Sequence, residues 1–236
     1  MHRFVWNMHY PAPEALNHEF PISAIVHDTE QVPLGAWALP GKYTVKLTVE
    51  GKSYTQPLTV RMDPRVKTSE ADLRKQFEME IGIVEGMNEA YETLQQVRSL
   101  RPQVTDRAAK AKGAIADSLK ALDKQAGELE GSSQAAFFGV PPSGRQPENL
   151  STLNQHFGQL LNVVDSADAA PTTQAAAVYE ELEGSLGKML AQWKKVSESD
   201  LPALNASLKK VHVEEIDLNK GTAAGPAGES DQDDEP

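Results

Sequence analysis

The residues best able to do chemistry in this chain are its histidines and its acids, and neither set is spaced for it. Four of the six histidines, His2, His9, His18 and His27, fall in the first part of the sequence. A metal ion needs ligands that converge, and the odd separation of His2 and His9 puts them on opposite faces of a continuous strand. His156 and His212 stand alone on helical segments and read as surface or boundary residues. A di-iron bundle would need Glu-x-x-His pairs facing inward, and no such pair occurs. Glycoside hydrolysis would need two acids facing one cleft, whereas Glu78, Glu80, Glu85 and Glu89 share one acid-rich helix and read as its solvated face.

Other chemistries lose their residues altogether. The chain has no cysteine, which removes disulfides, thiolate nucleophiles and Cys-ligated metals. It has no glycine-rich phosphate loop, no GxSxG nucleophile turn, no HExxH and no EF-hand loop. The sequence thus assigns no catalytic residue, no cofactor and no metal ligand. Asp63-Pro64-Arg65 is the one charged motif at a structural boundary. Asp63 there caps a turn, and Arg65 pairs with a carboxylate to fix the angle between the segments on either side.

The elements that would have to position any site follow from composition and periodicity. The chain has 236 residues, enough for one large or two small cored units, but only 39% are hydrophobic and 6% aromatic. With a mean hydropathy of −0.46, much of the surface is polar or part of the chain is unpacked. A net charge of −11 opposes nucleic-acid binding, which requires Lys and Arg to neutralise phosphates. No apolar run approaches the roughly 20 residues of a membrane-spanning helix. The first ten residues lack a cationic start and an apolar core, so they are strand material rather than a signal peptide. A chain that opens in a strand reads as the later part of something longer.

From Arg3 to about Asp63 the pattern is β, with short alternating runs between Pro and Gly clusters. The clearest unit is a hairpin in which Tyr43, Val45, Leu47 and Val49 alternate with polar residues. Gly51 supplies the positive φ of its turn, and Tyr54, Leu58 and Val60 continue the apolar face. Phe4, Trp6 and Met8 suggest another strand, as do Phe20 to Val26. About four to six strands result, fewer than the seven of an immunoglobulin-type sandwich. A small, incomplete immunoglobulin-like β-sandwich segment is expected over residues 1–64.

After Arg65 the period changes to about 3.6, with N-cap candidates at Thr68 and Ser69. Leu73, Phe77, Ile81, Val84, Met87, Tyr91, Leu94 and Leu100 form the apolar stripe of a long helix that Arg101-Pro102 should end. A second helix is expected from Asp106 to Glu130, a third from Glu148 to about Ala167, and a fourth after Pro171 that extends past a kink at Pro202. Four amphipathic helices favour an antiparallel helical bundle over residues 65–215, because no single stripe can be buried alone. The fold class is thus α+β. Residues 216–236 read as a disordered acidic tail, and Phe137 and Phe138 form an apolar loop patch that docks within the chain or on a partner.

The order HRFVWNMHYP, then ALPGKYTVKLTVEGKSYTQPLTVRMDPR, then TSEADLRKQFEMEIGIVEGMNEA resembles the C-terminal region of bacterial BNR-repeat, sortilin-like β-propeller proteins, commonly labelled glycosyl hydrolases. The resemblance covers about residues 2 to 100. It implies an upstream propeller, export to the periplasm or outside the cell, and a sandwich that packs on the propeller through Phe4, Trp6 and Tyr10. The propeller's own Ser-x-Asp-x-Gly-x-x-Trp motifs are absent, so any hydrolase label would belong to the parent.

Three functions are consistent with these features. The first is a non-catalytic accessory module whose partner is an upstream β-propeller or another protein. The second is a residual glycoside hydrolase with two acids facing a concave site. The third is a structural protein that forms a homo-oligomer through its helices. The first predicts excess exposed apolar surface on the β segment.

Overall fold

The structure is a computed structural model and describes residues 4–21, 23–25, 29–131 and 148–220. Its described residues are mixed in class but mostly helical, with one two-stranded antiparallel sheet and four helices, the last of them two α-helical stretches joined by a π-helical turn. The chain divides into two units: Met1–Asn88 with Asn154–Glu183, and Glu89–Leu153 with Gly184–Pro236.

In the first unit the β segment has fewer strands than its alternation suggests. Strands β1 (Gly41–Val49) and β2 (Lys52–Val60) form the hairpin. The turn residues Glu50 and Gly51 have φ of 48° and 78°, the two positive values that a two-residue type I′ turn requires. The further strands expected at Phe4 to Met8 and Phe20 to Val26 are not formed among the described residues. Two isolated bridges, His9 with Trp37 and Glu19 with Val32, stand in their place. The proline spacing gives the reason: Pro11, Pro13, Pro21, Pro33 and Pro40 each remove a backbone donor, so pairing cannot propagate along a ladder.

Helix α1 (Glu70–Lys110) starts on a serine N-cap. The Asp72 N–H donates to the Ser69 hydroxyl at 3.2 Å, and that hydroxyl donates to the Asp72 carboxylate at 2.8 Å. The stripe of α1 is rotated from the one expected. Leu73, Gln76, Glu80, Ile83, Met87, Ala90, Leu94, Val97 and Val104 are buried, whereas Phe77, Ile81, Val84 and Tyr91 are half-buried. The buried positions step by three and four in a heptad rhythm, the pattern of close helix pairing.

Within the first unit, helix α3 (Leu150–Val164) runs antiparallel to α1. Asn154 Nδ2 donates to the Met87 carbonyl, and at the other end Gln76 Nε2 donates to the Val164 carbonyl, both at 3.0 Å. Two glycines of α1 permit close approach: a Cβ at Gly86 would lie 2.8 Å from the Phe157 ring, and one at Gly82 would collide with the Tyr179 hydroxyl. Tyr179 belongs to α4 (Thr173–Lys195).

In the second unit, α1 does not end at Pro102 but continues to Lys110. A proline inside a helix costs a hydrogen bond. Here Leu100 and Val104 are fully buried on either side of it, and that tertiary burial keeps the helix going.

Helix α2 (Ala114–Glu130) begins later than expected, after Gly113 with φ of 62°. It packs antiparallel to α1 through Arg98 with Glu130, and Arg101 with Asp123 and Glu130. Past α4 the helix passes through one π-helical turn, Val196–Asp200, into α5 (Leu201–Lys210), so Pro202 falls in a first turn, where it is tolerated. Residues 211–218 then pack in the same unit: Asn205 exchanges two 2.8 Å hydrogen bonds with Ile216, which is buried. The acidic tail from residue 221 and the loop with Phe137 and Phe138 lie outside the described residues.

Candidate functional site

Two features of the first unit stand out, a bare sheet face and a buried carboxyl beside a cavity. The sheet face follows from register. Tyr43 pairs with Leu58, Val45 with Gln56, Leu47 with Tyr54 and Val49 with Lys52, so period-2 geometry puts all the apolar residues on one side. Tyr43 is half-buried by the edge-on Trp6 ring at 5.7 Å and donates its hydroxyl to the Leu39 carbonyl at 2.6 Å, and Val60 at the sheet's end is also half-buried. Val45, Leu47, Val49, Tyr54 and Leu58 are 36% to 60% exposed. An isolated two-stranded sheet is marginal in water, and among the described residues nothing covers these five side chains.

The edges of the hairpin differ. Counting from the closing pair Val49 with Lys52, hydrogen-bonded and non-hydrogen-bonded pairs alternate, which makes Thr44 with Pro57 a non-hydrogen-bonded pair. The missing donor of Pro57 thus falls on the outer edge of β2. The outer edge of β1 keeps every donor and acceptor from Lys42 to Thr48, flanked by the polar side chains of Lys42, Thr44, Lys46 and Thr48.

The residues expected at an interface are placed unequally. Phe4 is 89% exposed, with Val5 exposed beside it. Trp6 packs on Tyr43 and donates its indole N–H to the His9 carbonyl at 3.1 Å. Tyr10 packs against Phe77 of α1 at 5.4 Å, so it ties the N-terminal segment to the helix while remaining 43% exposed. Asp63 caps its turn by accepting the Arg65 N–H at 2.8 Å, but the carboxylate that Arg65 pairs with is Asp63 itself, at 2.6 Å. The motif is a self-contained turn.

The second feature corrects the reading of the acidic run. Glu78, Glu85 and Glu89 are exposed as expected, but Glu80 is 1% exposed. Its carboxyl accepts from the Trp37 N–H at 3.2 Å and from Gln76 Nε2 at 3.0 Å. Gln76 also donates to the carbonyls of Val164 and Ala167 and accepts from the Ala169 N–H, which satisfies the open C-terminal end of α3. That anchoring brings Asp165 and Asp168 close enough to act on Glu80. Desolvation by burial, with the charges of Asp165 and Asp168 adding, lifts the Glu80 pKa from the ordinary 4.5 to about 7.

Burial also raises the Asp165 pKa, against the nearby His9 and the Trp37 side chain. Among the described residues, Asp165 Oδ1 is buried without a hydrogen-bond partner. His9 stacks on Trp37 at 3.8 Å and holds the Gly35 carbonyl through Nδ1 at 2.7 Å. A cavity of roughly 270 Å³ opens beside Glu80. Its walls include Trp37, Leu39, Met62, Leu73 and Phe77, with Arg61 and Asp168 exposed at the rim.

A carboxyl poised near neutrality beside other acids has the electrostatics of a general acid. One protein donor sits on each Glu80 oxygen, Gln76 Nε2 on Oε1 and the Trp37 backbone N–H on Oε2. Among the described residues no group of three or more His, Asp or Glu side chains is placed to hold a metal ion, and no helix is long and apolar enough to cross a membrane. No family model, curated protein or solved structure matches the chain.

Proposed function

We propose that this chain is a non-catalytic accessory module that works by presenting its β hairpin to another domain. The observation that carries the reading is the exposed face of Val45, Leu47, Val49, Tyr54 and Leu58, next to a β1 edge whose backbone groups find no strand partner among the described residues. In this reading the hairpin is half of an immunoglobulin-like sandwich, and the missing strands come from outside the described residues. The partner is the β-propeller that the resemblance places upstream, and the exposed Phe4 and Val5 extend the contact. The helices of the first unit then serve as a base for the hairpin. The parent protein is an exported bacterial one, and any glycosidase activity resides in its propeller.

The test is to read the coding sequence upstream of Met1, express the domain found there, and titrate it with this chain. Saturable binding that is lost in a Leu47→Lys, Tyr54→Lys double variant of unchanged helicity is expected. Absence of a propeller upstream, or equal binding by the double variant, would overturn the proposal. Self-association through the same face is the competing outcome, read as a mass that rises with concentration and falls back to one chain in the double variant.

A further inference from the structure

The cavity beside Glu80 is separate from the hairpin face and carries an inference that goes beyond the interaction module. We propose that it is a binding site for a small organic cation, an ammonium group set against Glu80 with an apolar body held between Trp37 and Phe77. The walls supply the apolar part: Leu39, Met62, Leu73 and Phe77 line the space, and Trp37, 42% exposed, gives a π face at its opening.

The charge of the ligand follows from what faces the space. Glu80 comes from α1, and Asp168, with Asp165 nearby, comes from the turn after α3. Against these acids stand Arg61, exposed at the rim after β2, and His9, which acts on Asp165. An anion would meet the desolvated carboxyl group of Glu80 and, at the rim, Asp168.

Among the described residues no cation pairs with Glu80: its partners are the neutral Trp37 N–H and the Gln76 amide. A carboxylate offers about four lone-pair sites, so two remain for a ligand donor. An entering ammonium group compensates Glu80 for its lost hydration and lets it ionise, so binding near neutral pH releases a proton to solvent.

The experiment is isothermal titration of the whole chain with benzylamine, benzyl alcohol and benzoate, near pH 7 and at physiological ionic strength. Benzylamine is expected to bind more tightly than the other two by about tenfold or more, to release a proton, and to shift the indole N–H resonance of Trp37 while leaving that of Trp193 unmoved. In Glu80→Gln the preference for the amine is expected to vanish. Equal binding of the three probes, no binding of benzylamine, or a preference that survives in Glu80→Gln would overturn the proposal. The last result is what general attraction to a chain of net charge −11 would give. Should Glu80→Gln fail to fold, the preference among probes and the Trp37 resonance in the unaltered chain still decide.

Discussion

The hairpin and the first turns of α1 belong to the same unit, and each reverses what its sequence pattern leads one to expect. In β1 and β2 the alternating apolar side chains are half exposed. In α1 the polar Gln76 and the acidic Glu80 are nearly fully buried, on the same face as Leu73 and Met87. Periodicity reports which side chains share a face. It does not report what covers that face: α1 is covered by α3, and the described residues offer the hairpin no cover.

The largest effect that sharpens this contrast is expected in the covered region. Phe157 is fully buried against Gly86, and Phe157→Ala should cost about 3 to 5 kcal/mol in denaturant unfolding. A smaller loss would mean that the site between α1 and α3 collapses readily.

Next comes the buried carboxyl. Because the folded chain raises the Glu80 pKa from 4.5 to about 7, the folded state holds its proton more tightly than the unfolded one. The contribution is fully present below about pH 4.5 and is lost as pH rises to about 7. The loss is on the order of 3 kcal/mol. Glu80→Gln keeps the hydrogen-bonding shape and has no proton to lose. Its unfolding free energy relative to the unaltered chain should therefore rise by that order between pH 4 and pH 8. Parallel pH profiles for the two proteins would show that the carboxyl is solvated after all.

Gly86→Ala should cost about 1 to 3 kcal/mol, since the added methyl enters the Phe157 ring and has nowhere to go. The smallest effect belongs to the uncovered face: Leu47→Thr should change the stability of the isolated chain by less than about 1 kcal/mol. A loss comparable to that of Phe157→Ala would mean that the hairpin face is covered by something in the chain itself.

The helices were legible because their signals are local. The cap at Ser69, the stop at Gly131 and the turn at Gly51 each act within a few residues. The limits of α1 and the depth of Glu80 were harder to read. Pro102 is a strong local stop, but tertiary burial of Leu100 and Val104 overrides it. The burial of Glu80 is written in the seven-residue row Leu73, Glu80, Met87, Leu94, three of whose members the apolar stripe includes, but a charged side chain in an acid-rich run reads as solvated. The cavity was not legible, since Trp37, Met62 and Asp168 meet Glu80 only through the fold. The strand count was too high because alternation alone ignores how often proline interrupts the N-terminal segment.

The most direct test of the central claim is amide exchange along β1 and β2, measured in this chain alone and again in the chain joined to its upstream coding sequence. The account predicts weak protection of the hairpin in the chain alone, well below that of α1 around Met87 and Leu94, and a rise on the order of a hundredfold or more when the upstream domain is present. Hairpin amides already as slow as those of α1, or unchanged when the upstream sequence is added, would contradict it.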